Sequence, residues 1–360
     1  MTIKVAQFGT GYVGGFALRT IIERPDLELT GVWVSNPAKV GKDAGDLAAL
    51  AMKTGIFATD SIDDIIATAP QVVCSAAGGD GREAAITDLH CRFLEAGIDV
   101  VSTSIVGMID PQEYTDRENV EKLRVAAIRG GSTYYTSGIE PGIMSDALPI
   151  LLASMTSHFR TVRIQEILDY STYRPSEIEK IMGDVLGFGR PLDFVPLLLQ
   201  PGRLKLVWSS PLTLFGRACG IRFDEIVERS WREPATDSYE IPGFAYISEG
   251  TAEALRFEIA GRIAGNDVVV IEHITRLRAA AAPQWSQGTS GPGYYINVDG
   301  DPRIDCYVRC VGQTGDHQDG VITATAMRVV NAIPAVAAAP PGIISMLDLP
   351  FYGATAAYRP

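Results

Sequence analysis

Few side chains in this 360-residue chain are suited to moving a proton, and the best of them stand in strand-like settings. Asp169-Tyr170-Ser171-Thr172-Tyr173 closes the apolar run TVRIQEILD, where a tyrosine hydroxyl can donate while its ring walls an apolar pocket. His273 lies in VVVIEHITRL, and strand alternation turns it away from Glu272 and Ile274. Its imidazole can give a proton or hold a ligand. Such groups suit the reduction of C=O or C=N, because the developing oxyanion or amine must be neutralised as hydride arrives. Tyr173, His273 and Tyr170 are therefore the candidate acids. Interfacial packing of the tyrosines and a structural hydrogen bond for the histidine are the competing readings. Tyr134 and Tyr135 end another strand, and Tyr135 is expected to face the substrate. The four histidines are far apart, and no H-E-x-x-H or paired-cysteine pattern accompanies them, so no metal site is expected.

Hydride needs a carrier, and the amino-terminal residues describe a seat for one. Ile3 to Phe8 reads as a buried strand that breaks into Gly9-Thr10-Gly11-Tyr12-Val13-Gly14, a G-x-G-x-x-G turn opening an apolar helix. Gly9 allows the tight turn, Gly11 lets the backbone approach a pyrophosphate, and Gly14 lets the helix lie close on the strand. The phosphates would sit on N–H groups at the helix N-terminus. With 36 glycines in the chain the spacing alone is weak, but strand, turn, helix and a second strand at Leu27 to Val34 agree. An NAD-preferring unit ends that second strand in Asp or Glu. Here Ser35-Asn36 follow, with Lys39 close behind, groups able to hold a 2′-phosphate. NADP is favoured, NAD is the alternative, and FAD is less expected. Ser75, Ala76 and Ala77, with Ser102 and Thr103, end two later strands and are small enough to let a dinucleotide lie along the sheet edge.

Strands and helices alternate through residue 137, which predicts a doubly wound parallel sheet of Rossmann type over 1–138. The pattern includes a short strand at Ile56 to Thr59, a helix from Pro111 to Arg129 and a strand at Ser132 to Thr136. From 139 to 321 long strands separated by short turns predict a second α+β domain on a largely antiparallel or mixed sheet. Pro141 is read as a helix start, and helices at Ser176 to Leu186 and Leu192 to Leu199, or a second subunit, would cover the sheet. A homodimer is the expected assembly. Residues 322–360 are read as an apolar helix and tail returning to the cofactor domain. A net charge of −12 offers no basic surface for nucleic acid, so small molecules are the expected partners. Five cysteines without a C-x-x-C pair, no signal-peptide pattern and no apolar run of membrane length predict a cytoplasmic protein with no membrane partner.

In the order of its parts the chain resembles the dihydrodipicolinate reductase-like superfamily, and more closely its 2,4-diaminopentanoate dehydrogenase and native amine dehydrogenase branch. The resemblance spans almost the whole chain. It is carried by VAQFGTGYVGGFALRTIIERPDLELTGVWV, VVSTS, TSGIEPGIMSDALP and EHITRL, and most specifically by Gly138, Pro141, Gly142 and Asp146 at the crossover. It implies NAD(P)-dependent reductive amination of a ketone or aldehyde, or the reverse, and a role for a histidine near His273. Two departures stand out. The reductase's paired histidines and lysine before a D-A-P-S-G run are absent. The glutamate that amine dehydrogenases carry after the S-T-C segment is replaced by Ile105-Val106, here expected to line the substrate pocket. Glu140 is either the substitute carboxylate or an anion favourable at the expected helix start, and the second reading is preferred. An oxidoreductase acting on C=O or C=N of a small, mostly apolar substrate follows. An ammonium-independent carbonyl reductase and a non-catalytic NADP-binding sensor are the alternatives.

Overall fold

The computed structural model describes residues 2–78, 81–173 and 178–358. They divide into two units, one of residues 1–139 with 322–360 and the other of 140–321.

The first unit is built on a six-stranded parallel sheet. Ile3–Phe8 (β1) is central because its last four residues are buried, and Leu27–Trp33 (β2) and Val72–Ser75 (β3) flank it in parallel. Asp99–Ser102 (β4) and Thr133–Thr136 (β5) continue the sheet on the β3 side. A short strand, Gly342–Ile344, adds to β5 from the far end of the chain. The helix Tyr12–Glu23 (α1) packs Ala17 and Ile21 with Val5, Val101, Val329 and Ile333 in one core. This is the doubly wound Rossmann architecture expected from the alternation.

Three local expectations are corrected. Ile56 to Thr59 forms only two isolated bridges, Trp33 with Thr59 and Asp43 with Phe57; the Phe57 ring is exposed, so the segment lacks the burial that sustains a strand. The helix expected from Pro111 runs instead over Arg117–Gly130, where the Asp116 carboxylate accepts the Asn119 N–H and sets the start. The carboxy-terminal helix is two pieces, His317–Val330 and Ile333–Val336, separated at Asn331-Ala332.

The second unit carries a six-stranded mixed sheet of His158–Asp169 (β6), Glu225–Pro234 (β7), Ala252–Ile263, Asn266–Arg276, Gly293–Asp301 and Ile304–Val308. The hairpin Tyr239–Ile241 (β8) and Ala245–Ile247 (β9) stands apart, so the last four strands of the sheet are β10 to β13. Their order is β13-β12-β6-β11-β10-β7, and β6 with β11 is the one parallel pair in it. One face is apolar: Val162, Ile164, Phe257, Ile259, Ile271 and Ile296 pack with Leu204, Trp208, Leu212 and Phe215 of the helix Arg203–Cys219. The other carries charge, with Arg163, Arg229 and Arg256 around Glu258 and Glu272.

The apolar face is covered in part as expected: the helical segment Glu179–Val185 lies within the expected Ser176 to Leu186, whose first two residues fall outside the described residues, and buries Met182 in the core of the sheet. Leu192 to Leu199 holds only the turn Leu197–Leu199, and a further covering helix, Arg203–Cys219, was not anticipated. Arg203–Cys219 contains Ser209-Ser210-Pro211, which reads as a break, yet Leu204, Trp208, Leu212 and Phe215 share one stripe whose burial outweighs the proline's cost. Nor does a helix start at Pro141. Glu140 and Pro141 are extended, and the helix Ala147–Ala153 begins only after Asp146. Among the described residues no helix is long and apolar enough to cross a membrane.

Candidate active site

In the first unit the glycine turn has the close packing that a dinucleotide seat requires. Gly9 has φ +91, and a Cβ there would stand 3.0 Å from the Ala77 nitrogen and 3.1 Å from the Ala76 carbonyl. A Cβ on Gly14 would lie 2.2 Å from the Gly9 oxygen, so α1 can approach the turn only without one. Gly11 precedes α1 with no side-chain cap, and Tyr12 and Val13 form the half-buried first turn. The end of β3 closes the seat: Ala76 N–H donates to the Phe8 carbonyl, and Thr103 N–H to the Ser75 carbonyl. Ser102 is buried at the end of β4.

Beyond β2, Ser35 and Asn36 are exposed, and the Asn36 side chain accepts from Ala38 N–H, so its carbonyl oxygen is engaged in holding the turn Pro37–Lys39. Lys39 folds back over the glycine turn. Its ammonium donates to the Thr10 carbonyl at 2.7 Å and to the Thr10 hydroxyl at 3.1 Å. Burial and then the charge of Lys42 lower its pKa, as expected for a cation taken partly out of water beside another cation. These residues fit a nicotinamide dinucleotide: a left-handed glycine, a cradle that a Cβ would fill and an ammonium beside it.

Two predicted pocket residues of this unit are not where a pocket wall would be. Tyr135 is fully buried among Val5, Ala17, Val101 and Ile333, with its hydroxyl 3.1 Å from that of Tyr352. It is a core residue, because alternation along the short β5 turns it onto the helix-covered face. Ile105 is buried too, and only Val106, opening the turn Val106–Ile109, is half-exposed.

In the second unit the ionisable groups converge on one point. The His273 side chain on β11 lies between two carboxylates, with Nε2 3.4 Å from Glu140 Oε1 and Nδ1 3.2 Å from Glu166 Oε1. Phe257 stacks on the imidazole at 4.5 Å between centroids, and Trp208 meets it edge-on at 4.9 Å. Trp208 also donates its indole N–H to Glu140 Oε1 at 3.0 Å. The Glu140 side chain is 1% exposed, and its Oε2 is buried with no hydrogen-bond partner among the described residues. Tyr170 donates to Glu166 Oε1 at 3.4 Å, and the Tyr173 ring packs on Tyr170, centroids 5.0 Å apart. Tyr294 stands opposite Glu166 in the β12–β6 register.

Burial alone would strip the proton from His273. Glu166 and Glu140 outweigh it and push the pKa up to about 9. Burial raises Glu140, the imidazole and the Ser145 hydroxyl oppose it, Glu166 reinforces it, and the net direction is up. Burial and then Glu166 push the Tyr170 and Tyr294 hydroxyls well above the ordinary phenol range. The result is an imidazolium fixed against Glu166 beside a carboxyl that burial makes a better proton acceptor than an ordinary carboxylate. Such a group is suited to acid–base work.

The preferred sequence reading of Glu140, as an anion at a helix start, is thus overturned by its extended backbone and its burial against His273. Glu166, Trp208 and Tyr294 were not anticipated. For Glu166 a signal was present: it follows Val162 and Ile164 on the buried face of β6, where a carboxylate needs a partner.

Comparison with known proteins gives a consistent picture. The 2,4-diaminopentanoate dehydrogenase C-terminal domain family matches residues 143–358. An amine dehydrogenase of Streptomyces virginiae is 35% identical over 357 residues, 97% of this chain and 96% of the relative. A 2,4-diaminopentanoate dehydrogenase of Acetoanaerobium sticklandii is 22% identical, covering 97% and 93% of the two chains. The solved structure of an amine dehydrogenase from Mycobacterium smegmatis shares the fold, with a TM-score of 0.80 at 19% identity over 99% of both chains.

Proposed function

This chain belongs to the 2,4-diaminopentanoate dehydrogenase family of NAD(P)-dependent oxidoreductases, and from that premise we propose that it reductively aminates a small, mostly apolar ketone or aldehyde, or runs the reverse, with Glu140 as the acid–base residue. The observation that carries this reading is the buried Glu140 carboxyl, paired through Oε1 and with Oε2 in no hydrogen bond among the described residues. With His273 protonated against Glu166, the cluster is neutral when Glu140 holds a proton and singly negative when it does not. A singly negative site with little water favours an iminium cation and disfavours an alkoxide. Glu140, protonated by the incoming ammonium, gives that proton to the carbonyl oxygen as ammonia adds, then takes one from the added nitrogen and gives it to the hydroxyl, which leaves as water; ammonium and C=O become C=NH2+ and water, and Glu140 ends ionised. A nicotinamide cofactor, when held at the glycine turn, would supply the hydride that reduces C=N. In this reading Glu140 replaces the carboxylate that the family resemblance places at Ile105-Val106, and Trp208, Phe257, Tyr170 and Tyr173 supply apolar surface.

Oxidation of the reduced cofactor against a panel of ketones and aldehydes, with and without high ammonium, tests this directly. Turnover that requires ammonium is expected. Ammonium-independent turnover would replace the proposal with a carbonyl reductase, and cofactor binding with no turnover across the panel would leave a sensor.

For the cofactor the reading is NADP, supported by the missing acid after β2 and by Lys39 over Thr10. Ser35→Asp should move the NADP/NAD ratio of kcat/KM toward NAD by about tenfold, roughly 1.4 kcal/mol. An unchanged ratio would remove this loop from cofactor selection. A cytoplasmic homodimer belongs to the same reading, supported by five free cysteines and by the charged second face of the β6–β13 sheet, where arginines and glutamates alternate for a second copy to meet.

A further inference from the structure

Ser75 at the carboxyl end of β3, Ser104 just after β4 and His90 of the helix Glu83–Glu95 form a hydrogen-bonded row that the acid–base chemistry above does not use. His90 Nε2 lies 2.9 Å from Ser75 Oγ, and Ser75 Oγ lies 3.2 Å from Ser104 Oγ. His90 and Ser75 are fully buried, and Ser104 is half-buried. Burial pushes the His90 pKa down to about 3, so the ring is neutral and carries one N–H. Its Nδ1 meets no hydrogen-bond partner among the described residues.

That unpartnered nitrogen gives the row a direction. A buried N–H left without an acceptor costs more than a lone pair left without a donor, so the proton belongs on Nε2 and is given to Ser75. Ser75 then directs its own O–H at Ser104, and the Ser104 proton is the one donor not spent within the row. Behind it, Ser104 N–H donates to Ser102 Oγ at 2.9 Å and holds the backbone in place. Each hydroxyl polarises the next, which strengthens the terminal donor.

The position of that donor selects its ligand. A dinucleotide on a doubly wound sheet runs across the carboxyl ends of the strands, with its adenosine beside β2 and its nicotinamide on the other side of the glycine turn. Lys39 follows β2, and Ser104 follows β4. We propose that Ser104 donates a hydrogen bond to the carboxamide oxygen of the bound nicotinamide, with Ser75 and His90 as positioning residues that aim it. This rests on the nicotinamide reading of the site. The ring is held in one rotational setting, so one face of the dihydropyridine is presented for hydride transfer.

Calorimetric titration with three ligands tests it without any turnover: NADP, its thionicotinamide analogue, in which a weakly accepting sulfur replaces the carboxamide oxygen, and 2′-phospho-ADP-ribose, which lacks the nicotinamide. Ser104→Ala should weaken NADP by about 3–10-fold, weaken the thio analogue less than about twofold, and leave 2′-phospho-ADP-ribose unchanged. Ser104→Thr should restore NADP binding, and Ser75→Ala should give an intermediate loss confined to NADP. Equal losses on the oxygen and sulfur cofactors, equal losses on all three ligands, or no loss on NADP would each overturn the proposal. If the wild-type protein bound none of the three, nor their counterparts without the 2′-phosphate, the dinucleotide reading itself would fall and this one with it.

Discussion

Glu140→Gln is expected to lower kcat for ammonium-dependent turnover by about 10²–10⁴-fold, the usual contribution of a positioned acid–base group. Cofactor affinity should be unchanged. The substitution preserves shape and still offers an oxygen to the Trp208 indole N–H, so packing around Phe257 and His273 is retained. What it removes is the ability to take a proton from the added nitrogen and give it to the departing hydroxyl. The glycine turn, Lys39 and the ends of β3 and β4 belong to the other unit, where Lys39 is held by Thr10 and Ser104 by Ser75. The two readouts therefore separate: single-turnover rate falls and NADP titration does not. The pH profile adds a second criterion. Burial holds the wild-type Glu140 carboxyl above its ordinary range, so the wild-type kcat profile should show an ionisation above pH 4.5 that the glutamine variant lacks. A variant that kept a third or more of wild-type kcat, or lost cofactor binding in parallel, would remove Glu140 from the chemistry.

The uneven legibility of this chain has physical causes. The seat for the dinucleotide could be read because its requirements are local: a left-handed glycine, a glycine where helix meets turn, and a strand on either side all lie within 35 residues. Lys39 was also within reach, being in the loop that follows β2. The acid–base cluster is non-local. Glu140, Glu166 and His273 are 26 and 107 residues apart along the chain, and they meet because β6 and β11 pair in parallel, a neighbourhood no short-range pattern announces. Pro141 misled in a specific way. Proline is favoured at the first position of a helix, but it also drives the residue before it to extended backbone, and here the second effect is the relevant one. Tyr135 misled through length: a four-residue strand offers too few alternations to decide which side is covered. The helix Arg203–Cys219 was hidden by Pro211, whose local cost is exceeded by the burial of one apolar stripe against the sheet.

His273→Gln should make the protein less stable below pH 8, with the difference vanishing as the pH passes 9. The sign follows from the direction of the shift. The His273 pKa is about 9 in the folded chain and 6.5 when unperturbed, so its bound proton contributes stability that is full below pH 6.5 and is lost as the pH rises through 9. Two and a half units correspond to about 3 kcal/mol at most. Every group facing the ring works in the same frame: Glu140 from the segment before the helix Ala147–Ala153, Glu166 from β6, Tyr170 just after it, Tyr294 from β12, and the Trp208 and Phe257 rings on either side. The tyrosines are held above the ordinary phenol range, so they add no charge beside the ring. Glutamine at 273 can still donate to one carboxylate, but it leaves both facing each other without a cation, which is the costly way to break a buried pair. Urea midpoints of the two proteins should therefore be furthest apart at pH 6–7 and converge above pH 9. A gap that stayed constant from pH 6 to pH 10 would mean that His273 contributes by packing against Phe257 and Trp208 rather than by its charge, and the imidazolium on which the amine reading depends would be withdrawn.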